Sequence, residues 1–543
     1  MNKFVTGTKN LILSRQQTML SSTIIVASTI VLSRLFGFLR IRILANYFPK
    51  ETLDVLFASF RIPDLVFELL ITGALASAFI PIFMKYQKNK EELSINMSSI
   101  INILTLVMLV LILVLAATAP WIVPFIVPGF SPDKLAITVQ YSQLLLIGQL
   151  PFLVFSNILT SIGQANKTFI ISSIAPIIYN LAIIAGTIFL APSLFLLGPI
   201  IGVIVGSILM FLVQLPLIRS TNFDYRPILK MTKALREFAR IMVPRITTVM
   251  AAQIDATIDL TLATFLGPGS YSIFYFAQHL QLLPVSIIGI ALGQASLPYL
   301  TELHRDGKRK ELNHIVTETM VTILLVTIPV ASFFIFARTP LVRFFFGGDK
   351  FDWEGTVLTA QTLTYFAFAI PAHSLYYFVT RCYFAFFDTK TPFLVSLVSI
   401  VINMVLSVVL VFGLKQGVWA LALAFSVAMI VNVLILLILF RVKKMVRIEY
   451  ALFARQTIKI LVATMISSFL AYCLMKILDG LVLDTSRSLN VAILLGVTGL
   501  TYVALYAFSA WLLEIQSMRE VRVITHKVNH YRRRIIEIYN DIE

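Results

Sequence analysis

Three arginines lie close together in the first strongly apolar stretch of the sequence, LSRLFGFLRIRILANYF, at residues 32–48. They are Arg34, Arg40 and Arg42. An arginine at the centre of a bilayer helix costs about 2.5–3.5 kcal/mol on insertion scales, so it needs a partner or a cavity. Because a guanidinium is a planar fork that keeps its charge, it suits an anionic phosphate within the membrane. For Arg40 and Arg42 a second interpretation stays open, in which both side chains extend to the outer interface.

A second apolar stretch, residues 53–85, carries one more arginine together with two acids. Arg61 either adds to the positive charge of the first stretch or pairs with Asp64 or Glu68 along its own helix, at three- and seven-residue spacing. In either case the first part of the chain keeps an excess of positive charge within apolar sequence.

Acids and a histidine lie in two later stretches. Asp255 and Asp259 are four residues apart in 238–266, so they share a helix face. Buried carboxylates hold a cation, carry a proton or pair with an arginine, and all three roles stay open here. His279, in the stretch that follows, is either a satisfied core histidine or a group that changes charge near neutral pH.

The composition identifies the environment of these residues. The chain of 543 residues is 58% hydrophobic and 13% charged, and its mean hydropathy is +0.89. So few charged residues cannot cover a soluble protein of this size, and stretches of about 20 apolar residues span a bilayer as helices. We predict an all-α polytopic membrane protein with about fourteen transmembrane helices. The predicted spans are 18–46, 53–85, 97–120, 137–163, 170–190, 195–219, 238–266, 270–301, 313–337, 357–387, 392–413, 417–441, 453–477 and 489–513.

The net charge of +17 is distributed over alternate loops between the spans. This pattern is typical of a topology signal, and it predicts that both termini are cytoplasmic and that nucleic acid is not a partner. The two cysteines, Cys382 and Cys473, lie in apolar stretches and build neither a disulfide framework nor a metal cluster. The first twenty residues lack the apolar centre and small-residue exit of a cleavable signal.

The chain also repeats itself. Pro81 matches Pro298 and Asn180 matches Asn403, at offsets of 217 and 223 residues. Each offset covers six spans, an even number, so the sequence predicts two parallel six-helix lobes, an architecture typical of transporters. The predicted parts are an N-terminal lobe, a C-terminal lobe, two additional helices and a basic cytoplasmic tail, at residues 1–220, 221–445, 446–514 and 515–543.

Several motifs, taken in order, resemble one transporter family. SRLFGFLR (33–40), ASFRIPDL (58–65), GALASAFIPIFMKY (73–86), ALGQASLPYL (291–300) and RCYFAFFDTKTP (381–392) are similar to segments of the MurJ (MviN) lipid II flippases. These belong to the multidrug/oligosaccharidyl-lipid/polysaccharide exporter superfamily and have fourteen helices. The resemblance implies a monomeric flippase for an undecaprenyl-diphosphate-linked peptidoglycan precursor in the cytoplasmic membrane of a bacterium.

The resemblance also implies roles for particular residues. Its substrate-binding positions fall on Ser33, Arg34, Arg40 and Asp54, and its sodium-site positions on Asp259 and Asn403. The chain departs from the family at four places: Phe67 and Glu68 replace an arginine pair, Ile41 replaces an acid, His279 replaces an arginine, and Ser407 replaces an acid. We therefore expect Arg42, Arg61 and His279 to supply part of the missing contacts to the substrate.

Three other functions stay open. The chain could be a flippase for another polyprenyl-diphosphate saccharide, a cation-coupled drug exporter that uses the acids of 238–266, or a membrane enzyme acting on lipid-linked sugars. We expect no enzymatic activity, because the sequence has no phosphate-binding loop, zinc-binding helix or nucleophile elbow. No cofactor is expected, and sodium or the membrane potential is the expected driving force.

Overall fold

The computed structural model describes residues 19–69, 76–166, 168–219, 224–443, 445–485 and 487–515. Within these ranges the chain is all-α, and the structure confirms the predicted fold class. Residues 1–18 and nearly all of the predicted basic tail lie outside the described residues. In the first half the helices are α1 Met19–Tyr47, α2 Lys50–Phe67, α3 Ala76–Tyr86, α4 Lys90–Ile126, α5 Pro132–Gly148, α6 Leu150–Ala165, α7 Phe169–Ala185, α8 Ala191–Leu194, α9 Leu197–Gln214, α10 Pro216–Arg219 and α11 Lys233–Ala263. In the second half they are α12 Ser270–Pro284, α13 Ala291–Arg305, α14 Arg309–Phe336, α15 Arg338–Phe346, α16 Trp353–Ala385, α17 Lys390–Val408, α18 Trp419–Val442, α19 Tyr450–Ile477 and α20 Ser488–Leu512.

Helices account for all fourteen predicted spans where the chain is described. Ten helical segments within those ranges are long and apolar enough to cross a membrane. The other four predicted spans, which correspond to α1, α2 with α3, α11 and α16, are more polar or only partly described. The first three of these carry the arginines and acids noted in the sequence. The full count of fourteen transmembrane helices stays a prediction.

The internal repeat recurs in the secondary structure. Helix α7 ends in a π-helical turn at Gly186–Leu190, and α17 ends in one at Val409–Gly413. The first residues of the two turns are 223 positions apart, and so are their last residues. The same offset separates Asn180 from Asn403. Because π turns are rare, their recurrence at matching positions supports a duplicated six-helix element.

The chain forms two compact units. Unit 1 comprises residues 1–272 and the segment 345–355, and unit 2 comprises 273–344 and 356–543. Unit 1 therefore contains α11, the first helix of the predicted C-terminal lobe. The predicted boundary at residue 220 follows the sequence repeat and not the packing, and it stays a prediction.

Unit 1 contains a helix pair that depends on glycine. A Cβ on Gly202 in α9 would lie 2.9 Å from the carbonyl oxygen of Ala182, and one on Gly206 would lie 2.9 Å from that of Tyr179. Only hydrogen fits at these positions. The backbones of α7 and α9 thus approach closely, as is common where helices pack in lipid without a hydrophobic driving force.

Unit 2 includes the two additional helices. Pro329 lies inside α14 and has no N–H, so the carbonyl of Leu325, four residues earlier, loses its helical donor. Tyr506 in α20 donates its hydroxyl to that carbonyl at 2.8 Å, and Tyr502 donates to the Pro329 carbonyl at 3.0 Å. Helix α20 therefore packs on α14 through two tyrosine hydrogen bonds, one of them to a carbonyl that the proline leaves without a donor.

A buried lysine fastens the segment 345–355 to the rest of unit 1. Nζ of Lys50, at the start of α2, donates to both carboxylate oxygens of Asp352 at 3.0 and 2.8 Å and to Glu354 at 2.8 Å. The Lys50 side chain is 6% exposed, whereas those of Asp352 and Glu354 are 52% and 72% exposed. The desolvated partner is therefore the lysine. Although burial opposes the shift, the hydrogen bonds from Lys50 hold the pKa of Asp352 below its usual value.

This difference in burial predicts that removing the two acids destabilises the protein more than removing the lysine. Asp352→Asn with Glu354→Gln removes both hydrogen-bonded acids and leaves the buried Lys50 only Glu51, at 3.9 Å, as a counter-charge among the described residues. Such a defect costs about 3–5 kcal/mol in fully buried pairs and less here because the acids are partly exposed. Lys50→Met removes the buried charge and leaves two hydrated acids. We expect the unfolding temperature in detergent at pH 7 to fall in the order wild type, Lys50→Met, double variant.

Acid provides the control for this comparison. A carboxyl whose pKa is lowered by folding stabilises the fold above its unfolded pKa of about 3.9, and this contribution disappears as the pH falls through the folded pKa. The wild type and the double variant should therefore converge as the pH falls below the folded pKa of Asp352. Equal unfolding temperatures of Lys50→Met and the double variant at pH 7 would contradict the assignment.

Candidate functional site

The packing face of α1 changes along the helix. Gly37 and Arg34 lie one and two turns before Ile41, on nearly the same side. Ile41 is 4% exposed, but an added Cβ on Gly37 would meet no atom within 4 Å, and Arg34 is exposed. The face that is buried at Ile41 is therefore uncovered at Gly37 and Arg34. Among the predicted residues of α1, Arg34 is the one most open to a ligand.

The other predicted residues of α1 flank this face. Arg40 and Arg42 immediately precede and follow Ile41, and both are partly exposed, as is Ser33 beside Arg34. Successive helical residues differ in direction by about 100°, so Arg40 and Arg42 point to opposite sides of Ile41. The three guanidiniums therefore spread around the axis of α1 and do not converge on one point.

Arg61 ties α2 to α11. Its Nη2 donates to the Gln253 carbonyl at 2.9 Å and to Thr257 Oγ1 at 2.5 Å, and its Nε donates to Thr257 Oγ1 at 3.1 Å. The pairing with Asp64 or Glu68 that the sequence offered is not a hydrogen bond among the described contacts. Asp64 instead lies within electrostatic range of both Arg61 and Arg40. Asp64 therefore interacts electrostatically with arginines of α1 and α2, and of these three residues only Arg61 has described hydrogen bonds to α11.

Asp54 holds the first turn of α12. Its carboxylate is 1% exposed and accepts from the backbone N–H groups of Gly269 at 2.6 Å and Ser272 at 2.9 Å, and from the Ser272 hydroxyl at 2.9 Å. Carboxylates are favourable at a helix N-terminus because they satisfy its unpaired N–H groups. Lys134 Nζ lies 3.8 Å from the same carboxylate. Asp54 is thus an anchor in this structure, and the substrate contact implied by the resemblance stays a prediction.

Two features of the backbone at position 269, next to the Asp54 carboxylate, require glycine. The Gly269 φ of +85° favours glycine, and a Cβ there would lie 2.6 Å from Cγ of Lys50. The lysine that fastens 345–355 and the aspartate that anchors α12 therefore meet at the same glycine.

His279 lies in unit 2 and is partly exposed. Its Nδ1 is 3.0 Å from the Tyr275 carbonyl oxygen, and its ring packs on that of Tyr275 with 4.0 Å between centroids. A carbonyl only accepts, so Nδ1 carries the proton, and Nε2 becomes a donor only when the ring is protonated.

The two predicted sodium residues are both buried. Asp259, in unit 1, and Asn403, in unit 2, are each 1% exposed. Ser407 Oγ donates to Asn403 Oδ1 at 3.5 Å. Carboxylate, amide and hydroxyl oxygens are suitable donors for a hard cation. The side chain of Asp255 lies outside the described residues.

Comparison with known proteins identifies the family. A sequence model of the family "Lipid II flippase MurJ" matches residues 44–484. The chain belongs to the MurJ family. The lipid II flippase MurJ of Burkholderia cenocepacia is 28% identical over 70% of this chain and 75% of its own length. The probable lipid II flippase MurJ of Bdellovibrio bacteriovorus is 26% identical over 93% of this chain and 96% of its own length.

Solved structures agree with this family. A lipid II flippase MurJ in an inward closed conformation is 26% identical, with a TM-score of 0.73, over 90% of this chain and 99% of its own. An inward-facing multidrug-resistance MATE transporter of the MOP superfamily has a TM-score of 0.67 at 12% identity, covering 77% of this chain and 97% of its own. The second likeness shows a shared fold alone.

Two residues of this MurJ chain that sequence reasoning did not select are Gln253 and Thr257, which receive the Arg61 guanidinium. The available signal was their four-residue spacing, which places both on one face of α11. That spacing indicates a polar face but does not indicate which helix packs against it.

The contacts of Arg61 predict energetic coupling across α2 and α11. Arg61→Gln and Thr257→Val should each lower the unfolding temperature, and the double variant should lose less than the sum, because both changes remove one interaction. The expected coupling is about 0.5–3 kcal/mol.

Thr264 provides the matched control for this cycle. Its hydroxyl donates to the Thr261 carbonyl and accepts from the Gly129 N–H, with no described contact to Arg61. Arg61→Gln and Thr264→Val should be additive. Additive effects for Arg61 and Thr257 as well would show that the guanidinium contributes nothing through α11.

Proposed function

We infer that this protein is a flippase that moves lipid II, the undecaprenyl-diphosphate-linked peptidoglycan precursor, across the bacterial inner membrane. The observation that carries this conclusion is the family match over 44–484, together with a likeness to MurJ over nearly the whole described fold. The protein is a multi-pass membrane transporter, and its role in peptidoglycan synthesis follows from its cargo. The charge distribution of the loops supports cytoplasmic termini, and we propose that the protein acts as a monomer.

The exposed arginine of α1 suits the charged part of this cargo. A diphosphate that enters the membrane carries negative charge into hydrocarbon, where it needs donors that cannot lose their protons. Arg34 offers a fork of N–H donors on a face that the described part of the chain leaves open. The guanidinium and the diphosphate then each offset the free-energy cost of desolvating the other. We therefore propose that Arg34 binds the diphosphate during transport.

The remaining predicted residues are weaker candidates for direct contact. Ser33 adjoins Arg34, and Arg40 and Arg42 follow about two turns later on other sides of α1; all three are partly exposed, so they are proposed to contact the headgroup elsewhere along this helix. Arg61 and Asp54 are already engaged with α11 and α12, and we propose that they position α2. His279 supplies at most one further donor, and only when protonated.

The alternative functions have less support. A cation-coupled drug exporter would present the acids of α11 to its substrate, yet Asp259 is 1% exposed. A flippase for another polyprenyl-diphosphate saccharide would use the same arginines, but the matched relatives described above are lipid II flippases. Complementation of a strain depleted of its own lipid II flippase tests the cargo directly.

The proposed role of Arg34 predicts a loss of transport that charge alone does not restore. A charge-assisted hydrogen bond contributes about 1.5–3 kcal/mol, so Arg34→Ala should slow flipping by about 10- to 100-fold. Arg34→Lys should recover little, because an ammonium lacks the two-pronged geometry. The measurement is the fraction of fluorescent lipid II that a membrane-impermeant reagent reaches in reconstituted vesicles.

Two variants serve as controls. Arg305→Ala removes an exposed arginine whose guanidinium pairs with the adjacent Asp306, and it should leave the rate unchanged. His279→Gln should reduce the rate less than Arg34→Ala does. If Arg34→Ala and Arg40→Ala proteins both flip at the parental rate, these arginines are structural and the headgroup binds elsewhere.

We also propose that sodium drives transport through Asp259 and Asn403. A ligand shifts a conformational equilibrium only by its differential affinity for the two states. Asp259→Asn should therefore abolish any acceleration by a sodium gradient, and Ser407→Asp, which restores the acid of the family, should increase it. Wild-type transport that follows the membrane potential and ignores sodium would contradict this proposal.

A further inference from the structure

Unit 1 contains an apolar groove whose lining includes none of the residues proposed above to bind the cargo. Its volume is about 520 Å³, within the range of about 300–1,000 Å³ that is usual for ligand sites. Side chains of α4 and α6, together with Phe211 of α9, form its walls. Thr105 of α4 also lines it, and the Thr105 hydroxyl is buried without a hydrogen-bond partner among the described atoms.

A non-helical segment, residues 224–232, covers one end of the groove. We call this segment the strap. Ser94, Ser98 and Asn102 are spaced four residues apart on α4 and therefore form one polar stripe. Ser94 Oγ accepts from the Asp224 N–H at 3.0 Å, and Ser98 Oγ accepts from the Arg226 N–H at 2.8 Å. Asn102 Nδ2 donates to the carbonyls of Arg226 and Ile228, both at 3.0 Å. The stripe thus supplies the hydrogen bonds that an irregular backbone needs.

The side chains of the strap alternate. Tyr225, Pro227 and Leu229 line the groove, as the two-residue period of extended chain predicts. The Tyr225 hydroxyl donates to Asn102 Oδ1 at 2.7 Å, so its ring is fixed over the opening. The strap therefore presents an apolar inner side to the groove.

The charges of the strap are unbalanced at one end. Lys90 pairs with Asp224 at 2.8 Å, and Arg226 lies 3.6 Å from Glu91. Lys230, at the end of the strap, and Lys233, at the start of α11, are both exposed. Once the paired charges are set aside, the mouth of the groove is positive.

The dimensions indicate which apolar chain fits. The groove follows α4 from Ile101 to Leu109, a rise of about 12 Å. It starts beside the strap and ends near the midpoint of α4, a helix of 37 residues. Half of the hydrocarbon core of a bilayer is about 15 Å, the depth that one acyl chain occupies. A polyprenyl chain of many isoprene units is far longer than this groove.

We propose that the groove binds one acyl chain of an anionic glycerophospholipid whose phosphate contacts Lys230 and Lys233. The apolar walls exclude water, the short length selects an acyl chain, and the two lysines select a negative headgroup over a zwitterionic one. Because the strap leads directly into α11, a bound lipid stabilises the start of the helix that carries Gln253 and Thr257.

The test is a binding titration of the purified full-length protein by native mass spectrometry. The probes are phosphatidylglycerol and phosphatidylcholine with identical acyl chains. Each lysine near an anionic lipid contributes a factor of about five, so Lys230→Gln with Lys233→Gln should weaken phosphatidylglycerol binding by about 25-fold and leave phosphatidylcholine unchanged. The matched control is Lys308→Gln with Lys310→Gln, two exposed lysines in unit 2 that should not affect binding.

A second pair of variants tests the chain-binding part. Thr105→Phe fills the groove and should remove the phosphatidylglycerol site, whereas Thr105→Val keeps the volume and should retain it. Parental binding in the Lys230/Lys233 double variant, or in a folded Thr105→Phe protein, would overturn the proposal. Equal parental affinity for the two lipids would also overturn it, as would competitive displacement by a polyprenyl diphosphate, which would make the groove part of the substrate path.

Discussion

Hydrocarbon offers no water to a hydrogen-bonding group, so each polar atom carried into the membrane needs a partner in the protein or in a ligand. Most polar groups described above satisfy this requirement internally. The carbonyl that Pro329 leaves without a donor is bound by Tyr506, and Arg61 is bound by α11. Arg34 differs because it lies on an uncovered face, and this contrast distinguishes a ligand-binding arginine from a structural one.

The same requirement explains how the two irregular segments of unit 1 are held. Neither 345–355 nor the strap satisfies its polar groups through helical hydrogen bonding alone, and each lies against a helix that provides side-chain partners. Lys50 provides them with a single buried ammonium, whereas α4 uses a stripe of small neutral residues. The contacts of Lys50 depend on charge and therefore on pH, whereas the hydrogen bonds of the α4 stripe do not.

The helical segments could be predicted from the sequence because their signal is local. Apolar stretches of sufficient length predicted fourteen spans, and each of the ten described helical segments that could cross a membrane corresponds to one of them. The partners of the charged residues could not be predicted. Lys50 and Asp352 are 302 positions apart, and Arg61 binds a threonine 196 positions away when two acids were available on its own helix. Such pairings depend on which helices pack together, and no periodicity in one helix records that.

Within the candidate site, the sequence identified Arg34 from its residue type and position alone. The resemblance to a family added Asp54, but it did not indicate that both carboxylate oxygens of Asp54 would be used to hold α12. A family position can therefore be retained for the shape of the transporter and not for its cargo. The four departures from the family pattern are consistent with this, since the fold has tolerated them.

The π turns at the ends of α7 and α17 bear on the origin of the protein. A π turn contains one residue more than the α-helical turn it replaces, and it arises most simply when a single codon is inserted into a helix. Two independent insertions at equivalent positions are less economical than one insertion that was later copied. One insertion that was copied together with its six-helix element therefore accounts for both turns.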